Sequence, residues 1–524
     1  MFWQPWHGKA RLARGVRKRQ SRMSLSRLLR NIFSNYALMV VTGLTGFVVT
    51  PILFHRLQAV NYAILVFAFA SVAVMEALDL GLFTALIRFV SDLAAREKNA
   101  ELRALVSSAF YLLAGLGALG TITIVALSSF LASYFQVQGT PDAPGHLVLT
   151  LIGLSLAFSL PSAALRGLLM GCQDFHLVNA LAIALQLARA ATMVVLLYAG
   201  FGLLPIAALF PAAAFLELIG LLAMVRRASV PFRPRLAEVN WASLKQIWGF
   251  ASLTFVEGIL TRWFFQVNSF LAAKLLPLPQ LAILAVARRF PQALTELSIQ
   301  TLAVTYPMVS SAAARNDQAA LERFLIIATR NILALTLPIA AALFVWAEGI
   351  LRFWVGSEVL AGTPVFRILL VFAVFAALQE VPLTLLYGVG KIRFSAALSL
   401  IMLLAGVGAG GWVCARYGLA GLAITFAGIQ AVATLLLLDH ALQVAEIPWR
   451  QCFKKAVAPT LLAALPMILW FGLWYQFLSH SLAGMAVSVV IGALLFCGLF
   501  VRLVVGPEKP NWRIYARKLL TEID

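Results

Sequence analysis

Charge is scarce in this sequence, and acid is scarcer than base: 21 Asp and Glu stand among 524 residues, and charged residues of all kinds make up 12%. Soluble domains carry about a quarter charged residues, so a water-solvated fold of this composition would expose far too much apolar surface. Cysteine is sparse too. Cys172, Cys414, Cys452 and Cys497 show no paired spacing, which gives neither a disulfide framework nor a thiolate metal site. The six histidines (His7, His55, His146, His176, His440, His480) sit in tails, loops or span ends without ligand spacing, so no metal and no cofactor is expected. No phosphate-cradling P-loop pattern occurs, and no nucleotide-binding domain is expected. Period-two alternation is missing as well, which argues against a β-barrel.

What the sequence has in abundance is oil. It is 62% hydrophobic with a mean hydropathy of +0.91, and the apolar residues come in blocks of roughly 20–25, the length that crosses a bilayer as a helix. The blocks predict an all-α polytopic membrane protein of about 14 transmembrane helices. Twelve lie near 32–54, 61–87, 104–135, 146–170, 177–199, 203–224, 247–272, 280–309, 324–348, 363–387, 394–414 and 418–438. Two more lie near 455–477 and 483–504. No cleavable signal peptide is evident, because the first apolar block is too long and has no small-residue exit.

The net charge of +20 is placed for a membrane rather than for nucleic acid. Only Arg56, Lys274, Arg352 and Arg416 fall in the loops on one side, and six arginines fall within spans. Most of the remaining Lys and Arg, Arg166 among them, are assigned to the opposite loops and tails, which places both termini in the cytoplasm. The basic residues before Met23 form either a cytoplasmic tail on anionic headgroups or a segment ahead of a native start at Met23.

A repeat runs through the blocks. Phe201-Gly202-Leu203 through Phe210 reappears as Tyr417-Gly418-Leu419 through Phe426, and Leu168-Leu169-Met170-Gly171-Cys172-Gln173 pairs with Leu385-Leu386-Tyr387-Gly388-Val389-Gly390, at offsets of 216 and 217. Two pseudo-symmetric six-helix halves are expected, the arrangement transporters use for alternating access. The expected organisation is a basic tail 1–30, a half 31–225, a cytoplasmic linker 226–246, a second half 247–440, and two extra helices with a cytoplasmic tail over 441–524.

Asp79-x-Gly81-x-x-x-Ala85-x-x-Arg88 at the end of the second span resembles the signature of polysaccharide flippases of the multidrug/oligosaccharidyl-lipid/polysaccharide exporter superfamily. Leu168-x-x-Gly171-x-Gln173-x-Phe175, Gly388-x-Gly390-Lys391-x-Arg393 and Asn31-x-x-Ser34-Asn35 are similar to other motifs of that family. Two departures stand out. The first outer loop, Leu57-Gln58-Ala59-Val60-Asn61-Tyr62-Ala63, lacks both glycines of the family's L-G…Y-G pattern. The first span also carries none of the arginines of the lipid II flippase branch. The resemblance implies that lipid-linked (undecaprenyl-pyrophosphate) oligosaccharide repeat units move from the cytoplasmic to the periplasmic leaflet of the bacterial inner membrane. It implies no catalysis, a monomer, contacts with polysaccharide-assembly proteins, and H+ or Na+ coupling.

Ionisable groups at membrane depth are costly and therefore candidates for function. Arginine suits a diphosphate or an acidic sugar because its fork donates two hydrogen bonds and stays charged. Arg189, Arg262, Arg288 and Arg289 are the candidates for a cationic substrate cavity, with Arg189 open to pairing with Glu217 instead. Arg330 and Arg367, nearer the interfaces, fit snorkelling. Glu76, Asp79, Arg88 and Glu257 are candidates for ion coupling or gating, with an Asp79–Arg88 pair as the simpler alternative; Glu296 and Glu380 rank lower. An ion-coupled multidrug or small-molecule antiporter is the rival function. A membrane glycan polymerase or ligase fits less well, since the outer loops are short and carry no paired carboxylates at glycosyl-transfer spacing.

Overall fold

The computed structural model describes residues 25–79, 81–140, 143–226, 232–303, 305–477 and 482–505; most of the expected basic tail and the C-terminal tail lie outside them. The described chain is almost wholly helical. Ten of its segments are long and apolar enough to cross a membrane. Two of these bend midway, α1 (Leu25–Glu76) at Gln58 and α14 (Arg393–Val444) at Gly418, and each supplies two crossings. Two further helices of spanning length, α8 (Trp241–Leu275) and α9 (Leu278–Ala303), carry several charged residues apiece. Together these accommodate the fourteen expected crossings.

The chain forms two compact units, Met1–Arg262 and Trp263–Asp524, with the boundary inside α8. The first unit holds α1, α2 (Leu82–Ala95), α3 (Asn99–Tyr134), α4 (Gly145–Gly153), α5 (Leu156–Gly171), α6 (Phe175–Tyr198) and α7 (Leu203–Val225). A two-residue antiparallel ribbon, β1 (Gly139–Thr140) with β2 (Ala143–Pro144), joins α3 to α4. Leu82, Ala85 and Leu86 of α2 pack with Leu105, Ala109 and Leu113 of α3 and Leu160 and Ala163 of α5. The described residues of the expected linker pack onto the first unit. Phe232 is buried against Val90, Leu102 and Leu221, and the Asn240 N–H donates to Ser108 Oγ (2.8 Å).

The second unit holds the rest of α8, then α9, α10 (Tyr306–Ala314), α11 (Gln318–Val345), α12 (Ala347–Trp354), α13 (Thr363–Val389) and α14. It closes with α15 (Trp449–Cys452), α16 (Ala458–Phe477) and α17 (Leu482–Phe500). Trp346 of α11's end packs with Met467 and Phe471 of α16 and Phe496 of α17. Outward-facing side chains such as Val195, Trp412, Leu469 and Leu494 are exposed and apolar, a surface suited to hydrocarbon rather than water.

The same turns occur in both units. After α5, Gln173 takes φ 63°; its N–H donates to Met170 O (2.9 Å) and that of Asp174 to Leu169 O (2.8 Å). After α13, Gly390 takes φ 78°, with N–H of Gly390 to Tyr387 O (3.2 Å) and of Lys391 to Leu386 O (2.9 Å). Each partner lies 217 residues from its counterpart. A further recurrence was not visible as sequence identity. Glu97 and Asn316 (φ 58° and 52°) close α2 and α10 with matching bonds, Lys98 N–H to Leu93 O (3.0 Å) and Asp317 N–H to Ala312 O (3.0 Å). These are helix ends closed by a left-handed residue and a 6→1 hydrogen bond. The other sequence pair diverges: Gly418 (φ 62°) bends a continuous helix, whereas Gly202 (φ −82°) starts α7 after a break.

Candidate functional site

Four helices of the first unit each turn one stripe toward a common cavity of about 500 Å³. The stripes follow helical spacing: Phe69, Val72, Ala73 and Glu76 on α1; Ala182, Leu185, Gln186 and Arg189 on α6; Phe210, Ala213, Ala214 and Glu217 on α7. Ser155, Ser159 and Arg166 come from α5 and the residue before it. Residues at i, i+3, i+4 and i+7 lie on one face, so each of the three longer stripes begins apolar and ends on a charge. Phe69 and Phe210 meet edge-on, with centroids 4.6 Å apart.

Arg166 Nη1 donates to Glu217 Oε1 at 2.8 Å, and both side chains keep partial exposure (31% and 20%). Arg189 is held differently. Its Nη2 donates to Gln186 Oε1 (2.5 Å), and its guanidinium lies over the Phe210 ring at 4.8 Å. Glu76 is exposed into the cavity and lies in the electrostatic field of Arg166, Arg262, Asp79 and Glu217. Ser159 Oγ is buried without a hydrogen-bond partner.

Just after α1, Asp79 Oδ1 accepts the N–H of Gly81 (3.0 Å), and Gly81 takes φ 64°. A short carboxylate closing a turn two residues on, at a glycine free to adopt positive φ, is what an Asp-x-Gly spacing provides. The same carboxylate faces Arg262 Nη1 at 3.9 Å. Asp79 thus faces a cation of α8, whereas the simpler sequence alternative offered Arg88, an exposed residue of α2. Glu257 is buried and accepts from Thr261 Oγ1 (3.0 Å). The structure thus gathers Glu76, Asp79, Arg189 and Arg262 in the first unit and adds Arg166, which sequence reasoning missed; Glu217, named there as an alternative partner for Arg189, forms its ion pair with Arg166. Arg166 is a helix residue on the cavity wall rather than a loop cation. The signal available was the polar stripe Ser155, Ser159, Arg166, at i, i+4 and i+11.

In the second unit Arg288 Nη1 donates to Phe265 O (3.1 Å) and Asn268 Oδ1 (3.4 Å), while Arg289 is exposed. Arg367 Nε donates to Phe344 O (3.0 Å). Glu296 accepts from Gln292 (2.8 Å). Gln430 joins Gln379 and Thr434 in a buried polar cluster across α13 and α14. Among the described residues no group of His, Cys, Asp and Glu could hold a metal ion.

The motif residues build turns and helix contacts. Asn31 Nδ2 donates to Gln173 O (2.9 Å), and Asn179 Nδ2 donates to Ser34 Oγ (3.0 Å) and Asn35 Oδ1 (2.6 Å), which ties the start of α1 to the start of α6.

Solved structures share this many-helix fold. The inward-closed lipid II flippase MurJ superposes with a TM-score of 0.67 at 14% identity, covering 93% of this chain and 99% of that one. An inward-facing multidrug resistance MATE family transporter of the MOP superfamily gives 0.64 at 15%, covering 77% and 94%. Its outward-facing counterpart gives 0.59 at 16%, covering 80% and 95%. A comparison with curated proteins finds no match. The sequence pattern of the polysaccharide biosynthesis protein family matches residues 57–361. The chain belongs to that family and is a multi-pass membrane protein with the fold of MOP-superfamily transporters.

Proposed function

We propose that the protein flips lipid-linked oligosaccharide repeat units, carried on an undecaprenyl-pyrophosphate-type anchor, from the cytoplasmic to the periplasmic leaflet during polysaccharide biosynthesis. The observation that carries this reading is the cavity of the first unit. It holds Glu76, Arg166, Arg189 and Glu217 on helices long and apolar enough to span a membrane, in a chain of the polysaccharide biosynthesis family. Four ionisable side chains at that depth are expensive unless a polar cargo passes them. The near-complete coverage of the flippase fold, 93% of this chain against 77% and 80% for the two MATE structures, also supports it.

In this reading the chain works by alternating access between two six-helix halves, 31–225 and 247–440, in the bacterial inner membrane with both termini in the cytoplasm. Arg262 and Arg288 or Arg289 of the second half hold the cargo, and Arg189 of the first half contributes. Glu76 and Asp79 couple the cycle to an ion, with Arg88 and Glu257 in gating roles. The test is polysaccharide export by variants shown to be inserted. Arg189→Ala and Arg262→Ala are expected to cut export by tenfold or more, the order of a lost charged hydrogen bond. Wild-type export by both would remove these arginines from the transport path. Asp79→Asn is expected to abolish ion dependence while cargo still binds; unchanged ion dependence would assign coupling elsewhere.

A further inference from the structure

The charges on the cavity wall cancel. Glu76 and Glu217 balance Arg166 and Arg189 on the cavity wall, and Asp79 balances Arg262 beside it. A cargo diphosphate placed here would bring more than one negative charge against Glu76 and Glu217, with Arg166 already engaged by Glu217 at 2.8 Å. A like charge in a half-buried site is rejected more strongly than a surface one. A carboxylated sugar meets the same objection in smaller degree.

An uncharged sugar ring leaves the balance intact and uses every group present. Carboxylates such as Glu76 accept from neighbouring hydroxyl pairs, guanidinium groups donate to hydroxyl and ring oxygens, and Gln186 does both. Ser159 Oγ, buried and without a partner, is an additional group to satisfy. The edge-on Phe69–Phe210 pair offers an apolar face to the C–H side of a ring. At about 500 Å³ the cavity falls within the roughly 300–1,000 Å³ of small-molecule sites, room for more than one ring.

We infer that this cavity is the subsite for the neutral sugar rings of the cargo and selects against acidic ones, Glu76 and Glu217 being the specificity-determining residues. This rests on the flippase reading above. The experiment uses the full-length protein in proteoliposomes and two polyprenyl-diphosphate disaccharides that differ only in the distal ring, a neutral hexose or the matching uronic acid. The ratio of their flipping rates is read for the wild type, Glu76→Gln and Glu217→Gln. Such a ratio does not depend on how much protein folded or inserted. The wild type is expected to favour the neutral cargo by on the order of tenfold, the effect of about one unpaired charge, and each Gln variant to narrow or invert the preference. Equal rates, a preference for the uronate, or a ratio unmoved in both variants overturns the inference and leaves the flippase reading standing. Movement of neither cargo by the wild type overturns both.

Discussion

At Gln58 the backbone takes φ 63° and ψ 164°, a region that glycine reaches freely and other residues reach at a cost of about 1–3 kcal/mol. The family's pattern has a glycine in this loop, and its absence is legible in the sequence; that the conformation persists without it is not. Gln58→Gly is therefore expected to raise the thermal midpoint in detergent by about 2 °C or more. An unchanged or lower midpoint would mean the bend carries no strain. Arg166 and Glu217 give a second test at this scale. A double-mutant cycle on thermal unfolding with Arg166→Ala and Glu217→Ala should show a coupling of about 0.5–3 kcal/mol, and additive effects would deny the bridge a role in holding α5 to α7. Single residues were only partly readable beforehand. Arg189 announced itself by standing mid-span. Arg166 did not, because it stands near the end of the expected span 146–170 and counts with the loop cations there, whereas in the structure it faces the cavity.

Among the helices, two glycines explain why the repeated motifs contain them. A Cβ on Gly171 would lie 2.6 Å from Val90 Cγ1, and one on Gly388 would lie 2.6 Å from Val309 Cγ1. Each glycine lets its helix approach the valine of another helix, α5 on α2 in the first unit and α13 on α10 in the second. Adding a methyl group to such a contact overpacks it at a cost of about 1–3 kcal/mol. Gly171→Ala and Gly388→Ala should each lower the thermal midpoint, and Val90→Ala and Val309→Ala should each recover part of the loss in their own unit. If the valine substitutions recover nothing, the close approach is not what the glycines serve. The helices themselves were legible from hydropathy, and the recurring motifs pointed to the paired turns after α5 and α13. The second matching pair of turns, at Glu97 and Asn316, was hidden because its geometry rests on backbone hydrogen bonds and positive φ rather than on shared side chains. The cavity was hidden for a related reason. Its stripes mix small, apolar and charged residues at helical spacing, and periodicity within one helix does not say which other helices share the space.

For the molecule as a whole, the net charge of +20 and the balanced charge of the first unit's cavity describe different things. The excess base falls mostly outside the apolar blocks of the sequence, while among the described residues Arg166 and Asp79 face opposite charges and Arg189 and Arg288 face polar groups. Pairing of this kind leaves none of these groups bare in hydrocarbon. Whether the cargo is a lipid-linked glycan is decided most directly in a deletion strain by labelling the lipid-linked oligosaccharide and measuring which leaflet holds it. The account predicts that complete repeat units accumulate on the cytoplasmic side and that the intact gene restores their delivery. Normal delivery to the periplasmic leaflet, in a strain with no second flippase, would contradict it.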